Sequence, residues 1–199
     1  MATTVHSLQV QGLHAFPVEV EVDILQGMSH FSIVGLGDTA VQEAKERVRS
    51  AIKNSGFDYP RQKKIINLAP ADLSKHGPHF DVPIAIGLLA ASKQLPPNTL
   101  KGRIFVGELA LNGNIRSVTG ALTMAMSEKK NGKNIIIMPI ENVYEASMIQ
   151  GIQIVGARTL KEVVNYLKLG EIPTKPSTII QEKAGKEIIN FDDIQGNAL

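Results

Sequence analysis

The chain contains no cysteine. Disulfides, thiolate metal sites and a cysteine nucleophile are therefore excluded, and the composition agrees with a reducing compartment. It has no tryptophan either, and aromatic residues make up only 5% of its 199 positions. A stacking platform for single-stranded bases is not expected from so few rings. Charge of one sign is also lacking: 21 Lys and Arg face 19 Asp and Glu, leaving +2. Any basic surface must be local. No apolar run is long enough to cross a bilayer, and MATTVHSLQVQGLHAF lacks the basic start and apolar stretch of a signal peptide. The expectation is a cytoplasmic protein with no membrane partner. The pattern G-x-x-x-x-G-K-[ST] occurs nowhere, so these residues cannot hold a nucleoside triphosphate in the P-loop manner.

What is present is an ordinary globular composition, 43% hydrophobic and 20% charged. That supports one good core or two small ones. Val18, Val20, Val22 and Ile24 alternate with Glu19, Glu21 and Asp23, the pattern of a strand with one wet face. HFSIVGLG reads as a second strand. The period then changes. Asp38 can cap a helix whose apolar residues Val41, Ala44, Val48, Ala51 and Ile52 face inward. Glu43, Lys45, Glu46, Arg47, Arg49 and Lys53 fall on its outer face, and Asn54-Ser55-Gly56 ends it.

IINLA predicts a strand led in by Arg61-Gln62-Lys63-Lys64, and VPIAIGLLAAS predicts a buried helix opened by Asp81 with Pro83 in its first turn. RIFVGELAL and GNIRSV resemble a hairpin around Asn112-Gly113. A helix over about Thr119–Lys130, a buried strand NIIIMP, and then a helix, a strand and a helix complete an α/β domain over residues 1–170. From 171 to 199 the texture changes: EIPTKPSTIIQEKAGKEI reads as a linker, and INFDDIQGNAL as the start of something further.

Several stretches invite chemistry. Gly35-Leu36-Gly37 before a helix suggests a dinucleotide turn, with Ala40 at the third position. No clear parallel βαβ unit with a ribose-binding acid follows, and the competing reading is a ligand-free strand-to-helix turn. SKHGPHFD places His76, His79 and Asp81 in one loop, a short spacing for metal ligands without a completing cluster elsewhere. Ser74 beside Lys75 is poorly placed for a shared proton, because neighbours in an extended segment point apart. Arg61, Lys63, Lys64 and Lys75 flank one strand, with Arg61 and Lys63 expected on the same face. They form either a small phosphate-facing patch or a solvated edge that discourages aggregation.

Together, FSIVGLGDTAVQEAKERVRSAI, NLAPADLSKHGPHFDVPIAIGLLAA and VGELALNGNIRSVTGAL resemble the N-terminal domain of the ComM/YifB family of Mg-chelatase-like AAA+ ATPases. The resemblance covers about residues 3 to 170. It implies a Lon-protease-like domain of the ribosomal-protein/GHMP-kinase-like fold, a mixed sheet packed with helices. INFDDIQG looks like the lead-in to the family's AAA+ module, where ATP and Mg2+ are expected; no cofactor is expected in this chain. The Lon pattern K-D-G-P-S-A-G is matched at Lys75, Gly77 and Pro78, and its nucleophile falls on His79. The second Lon segment, G-E-x-x-L-x-G, is matched at Gly107, Glu108, Leu111 and Gly113, and its catalytic lysine falls on Met124. An imidazole cannot replace the attacking hydroxyl, nor a thioether the amine. The resemblance thus implies a non-catalytic domain in a hexameric ring that acts on DNA in branch migration and recombination; the alternatives are a pure oligomerisation module without DNA contact and an active Lon-like serine peptidase. Candidate DNA contacts are Arg61, Lys63, Lys64, Lys75, His76, His79 and Arg116.

Overall fold

Alternation is cleanest where one sheet face is wet and vanishes where both are covered, and the fold follows this rule. The computed structural model describes residues 2–35, 38–131, 135–171 and 173. In chain order the elements are β1 (Thr3–Gln11), β2 (His14–Leu25), β3 (Phe31–Val34), α1 (Asp38–Asn54), β4 (Lys63–Ala69), a 3-10 turn (Pro78–Phe80), α2 (Asp81–Ala91), β5 (Arg103–Phe105), β6 (Glu108–Leu109), β7 (Ile115–Arg116), α3 (Ala121–Asn131), β8 (Ile135–Pro139), α4 (Val143–Ser147), β9 (Gln153–Ala157) and α5 (Leu160–Leu169). The main sheet has seven strands in the order β3-β4-β2-β1-β5-β8-β9, and β6-β7 is a separate hairpin. The β1-β2 and β2-β4 pairs are antiparallel; β3-β4, β1-β5, β5-β8 and β8-β9 are parallel. The sheet is therefore mixed and packed with helices, as the expected α/β class requires.

β2 buries Val18, Val20 and Val22 against α1 and α2, and the intervening Glu19 stays exposed. β8 has no such alternation. Ile137 enters the core shared with α1, α2 and α5, while Ile136 and Met138 enter a second core with α3 and α4. A strand covered on both faces reads as a continuous apolar run. β1 changes character along its length, with Val5 in the first core and Leu8 in the second. The joint between β1 and β5 is narrow: their register consists of the single pair His6↔Ile104.

α2 is buried from Asp81 to Ala90. It lies so close to the sheet that a Cβ at Gly87 would stand 2.6 Å from Val22 Cγ2 and 3.3 Å from Val5 Cγ2. Gly87→Ala should therefore destabilise the chain by about 1–3 kcal/mol through overpacking, less up to about 1 kcal/mol of recovered helix propensity. Urea unfolding checks this; a stabilised variant would show that the sheet yields at this contact.

Three expectations are corrected. RIFVGELAL is not one hairpin arm: β5 joins the main sheet in parallel with β1 and β8, and only Glu108–Leu109 pairs with Ile115–Arg116. β3-α1-β4 is a parallel βαβ unit, which four-residue β3 is too short to announce by period. Its turn residues Leu36 and Gly37 lie outside the described residues, as does the side chain of Asp38. Arg47 is not on the outer face of α1, since its guanidinium turns inward to Asp81. Apart from Glu171 and Pro173, the expected linker and AAA+ lead-in over 171–199 lie outside the described residues. Among the described residues no helix is long and apolar enough to cross a membrane.

Candidate functional site

The two segments that resemble Lon meet in space. Gly77 has φ +89°, a left-handed conformation suited to glycine. It turns the chain into Pro78–Phe80 and so into α2. Val82 N–H donates to the Gly107 carbonyl at 3.1 Å, and Gly107 N–H donates to the His79 carbonyl at 2.9 Å. This pair of hydrogen bonds joins the turn to the β5–β6 connection. A cleft of about 440 Å³ opens beside it, and His79 and Met124 both line it. The positions matched to the Lon nucleophile and lysine are therefore neighbours across one cavity. Ser117 and Thr119 add hydroxyls to the lining, His76 and Glu108 add titratable groups, and among the described residues no lysine or arginine contributes.

His79 is largely buried and carries no charge at neutral pH. Burial pushes its imidazole down to about 4, with His76 acting in the same direction and the Leu8 carbonyl opposing both. At neutral pH the ring is uncharged, and its Nε2 is buried without a hydrogen-bond partner. Its ring packs 4.1 Å, centroid to centroid, from Phe80. A neutral ring brings no positive charge to a phosphate. His76 is exposed, with its backbone N–H donating to Gln9 Oε1 at 3.1 Å.

Beside the cleft lies a buried ion pair. Asp81 is 1% exposed, and Arg47 Nε reaches its Oδ2 at 2.6 Å and Arg47 Nη2 its Oδ1 at 3.2 Å. Leu109 N–H donates to the same carboxylate. Burial nonetheless pushes the Asp81 carboxyl up to about 6, against the pull of Arg47. Because its oxygens are engaged in this way, Asp81 is not offered to a metal. Among the described residues no three His, Asp or Glu side chains converge as a ligand set.

The expected cluster of Arg61, Lys63, Lys64 and Lys75 does not assemble. β4 has seven residues, about 20 Å of extended chain, with Arg61 to Lys64 at one end and Lys75 beyond the other. The Lys75 ammonium is buried and donates to the carbonyls of Pro70 and Leu73. Lys64 is 1% exposed; its ammonium donates to the Pro60 and Gln62 carbonyls and lies 4.9 Å from the Tyr59 ring centre. Neither amine is presented to solvent. Arg116 is exposed but paired with Glu108 at 2.9 Å. Arg61 precedes β4, so strand alternation does not place it with Lys63. It lines a groove beside α1 from which Lys63 is missing. Lys45, Arg49 and Lys53 of α1 line that groove too. Sequence reasoning placed these three on an outer helix face without joining them to Arg61; their four-residue spacing was the available signal.

The mixed α/β domain brings together at one cleft the two segments that resemble Lon, as a Lon-like domain would. The family described as "Subunit ChlI of Mg-chelatase" matches residues 20–142. YifB of Escherichia coli is 47% identical over 164 residues, 82% of this chain and 32% of that protein. Competence protein ComM of Haemophilus influenzae is 41% identical over 196 residues, 96% of this chain and 38% of that protein. Lon protease 2 of Bacillus subtilis is 26% identical over 176 residues, 81% of this chain and 30% of that protein. The chain belongs to the Mg-chelatase ChlI-like family, with relatives of the ComM and YifB kind. It spans about a third of the length of these curated relatives.

Proposed function

We propose that this chain is a non-catalytic Lon-like domain of a ComM/YifB-type AAA+ ATPase. In this reading it lends a platform that lines DNA or builds a ring while the motor works in branch migration and recombination. ATP and Mg2+ belong to the motor module, and the partners are further copies of the chain, in a hexamer, and DNA. The observation that carries the reading is the cleft itself: His79 and Met124 stand at the two matched positions, and among the described residues its lining includes no amine to activate Ser117 or Thr119. The printed name of the Haemophilus relative, a competence protein, supports a setting in DNA handling. A second reading, a pure assembly module, draws on exposed apolar side chains such as Leu13 (85%) and Met28 (92%).

Intact-mass measurement after incubation with a serine-directed phosphonate checks the loss of catalysis. No adduct is the expected result, and labelling at Ser117 or Thr119 would overturn it. Gel filtration alongside a DNA titration separates the two readings. DNA binding supports the platform, and a stable oligomer without DNA affinity supports the assembly module.

A further inference from the structure

We propose that the groove between α1 and the Phe57–Lys64 segment is a seat for the phosphate backbone of a nucleic-acid strand. The proposal rests on the reading that this domain touches DNA, and it relocates the contact away from the Lon-like cleft. The groove encloses about 650 Å³. Lys45, Arg49 and Lys53 line it from α1, Arg61 and His30 from the opposite wall. Arg49, Lys53, Arg61 and His30 are exposed, and Lys45 is half-buried.

The three helix residues recur every fourth position, so they form a row rather than a nest. At 1.5 Å per residue the row is about 12 Å long. A strand carries one charge per nucleotide, so a row of this length can meet more than one of its phosphates. A single compact anion is held by convergent donors; a row of cations fits a chain with a charge at every repeat. A nucleic acid has that regularity, whereas the acid content of a peptide varies from residue to residue.

The wall beneath is also positive. Lys64 is fixed there by the carbonyls of Pro60 and Gln62. Burial lowers its proton affinity, and Arg49 and Lys45 lower it further, so like charges crowd at this place. Two carboxylates stand nearby: Asp58 in the wall, and Glu46 close enough to act on Tyr59. They are outnumbered. Tyr59 already has Lys64 against its ring, which leaves charge rather than base stacking as the means of recognition. Binding should therefore be independent of sequence and steep in salt.

The test uses the 199-residue chain and a fluorescent oligothymidylate, followed by anisotropy across a salt series. The groove variant is Lys45→Gln/Arg49→Gln/Lys53→Gln. Glutamine keeps good helix propensity, so a melting curve like that of the parent is expected. A control variant, Lys101→Gln/Lys129→Gln/Lys130→Gln, removes the same charge from exposed positions that do not line the groove. The groove variant should bind about tenfold or more weakly at low salt, and its log–log salt slope should flatten by about 2, three lost contacts at about 0.7 each. The control should bind like the parent. Equal losses in both variants would mean bulk charge alone and overturn the proposal. A parent that binds DNA and a groove variant that binds equally well would overturn the groove but leave the platform reading standing. A parent that binds no oligonucleotide would overturn both. Polyglutamate that displaces the oligonucleotide as well as polyphosphate does would overturn the ligand class.

Discussion

Replacing Asp81 by alanine is expected to destabilise the chain by about 3–5 kcal/mol, the cost of leaving a buried partner uncompensated. The carboxylate is 1% exposed and joins three elements: Arg47 of α1, the first turn of α2, and the Leu109 N–H of β6. Its removal leaves the Arg47 guanidinium, whose side chain is only 20% exposed, with Glu43 alone at 3.5 Å, and leaves a backbone donor unmet. Arg47→Met alone should also be costly, because Asp81 loses its fork and must take up a proton to stay buried. Arg47→Met combined with Asp81→Leu should lose less than the sum, since apolar replacement of both members of a buried pair is often nearly neutral. Urea unfolding of the four proteins in a double-mutant cycle measures the coupling. A loss below about 1 kcal/mol for Asp81→Ala would mean that water already satisfies this corner.

The second large effect is hidden by compensation. His79 is held at about 4 by burial, while its unfolded form takes a proton near 6.5. Stability from this group is present above that range and lost as pH falls through it. Asp81 is pushed up to about 6, against 3.8 for the free side chain. Its contribution has the opposite sign: present below about 4 and lost as pH rises through 6. Each amounts to about 3 kcal/mol. Between pH 4 and 6 the two nearly cancel in the parent chain. His79→Asn removes one of them. The variant's stability, relative to the parent, should rise by about 2–3 kcal/mol as pH is lowered from 6.5 to 4. Urea midpoints across that range give the difference directly and remove acid effects common to both proteins. Parallel profiles would refute a buried, neutral His79. An imidazole NMR titration with its midpoint well below 6.5 would support it.

Much of the architecture was legible in the spacing of apolar residues. β2 and α1 expose one face each, so their periods of two and of about 3.6 stand out against charged neighbours. α2 was legible from the absence of any polar face. β1 was not, because Val5 and Leu8 serve different cores and the alternation breaks between them. The site was legible in part. KHGPHFD marked the turn and VGELALNG the segment beside it, but hydrogen bonds between His79, Gly107 and Val82 are matters of contact, not of spacing. Lys64 shows a missed clue. It shares the parity of Ile66 and Leu68, both buried on the core face of β4, and strand alternation therefore placed its stem inward too. A lysine is read as solvated by habit; here its amine finds carbonyls at the end of a buried stem.

The single-pair joint between β1 and β5 has a mechanical meaning. β3, β4, β2 and β1 form one continuous ladder, and β5, β8 and β9 form another. What binds the two together is side-chain packing, for both cores draw residues from each side of the line. Shear along that line breaks few backbone hydrogen bonds and is resisted chiefly by the packed cores. A pull that separates the two ladders would open that line and leave each ladder intact.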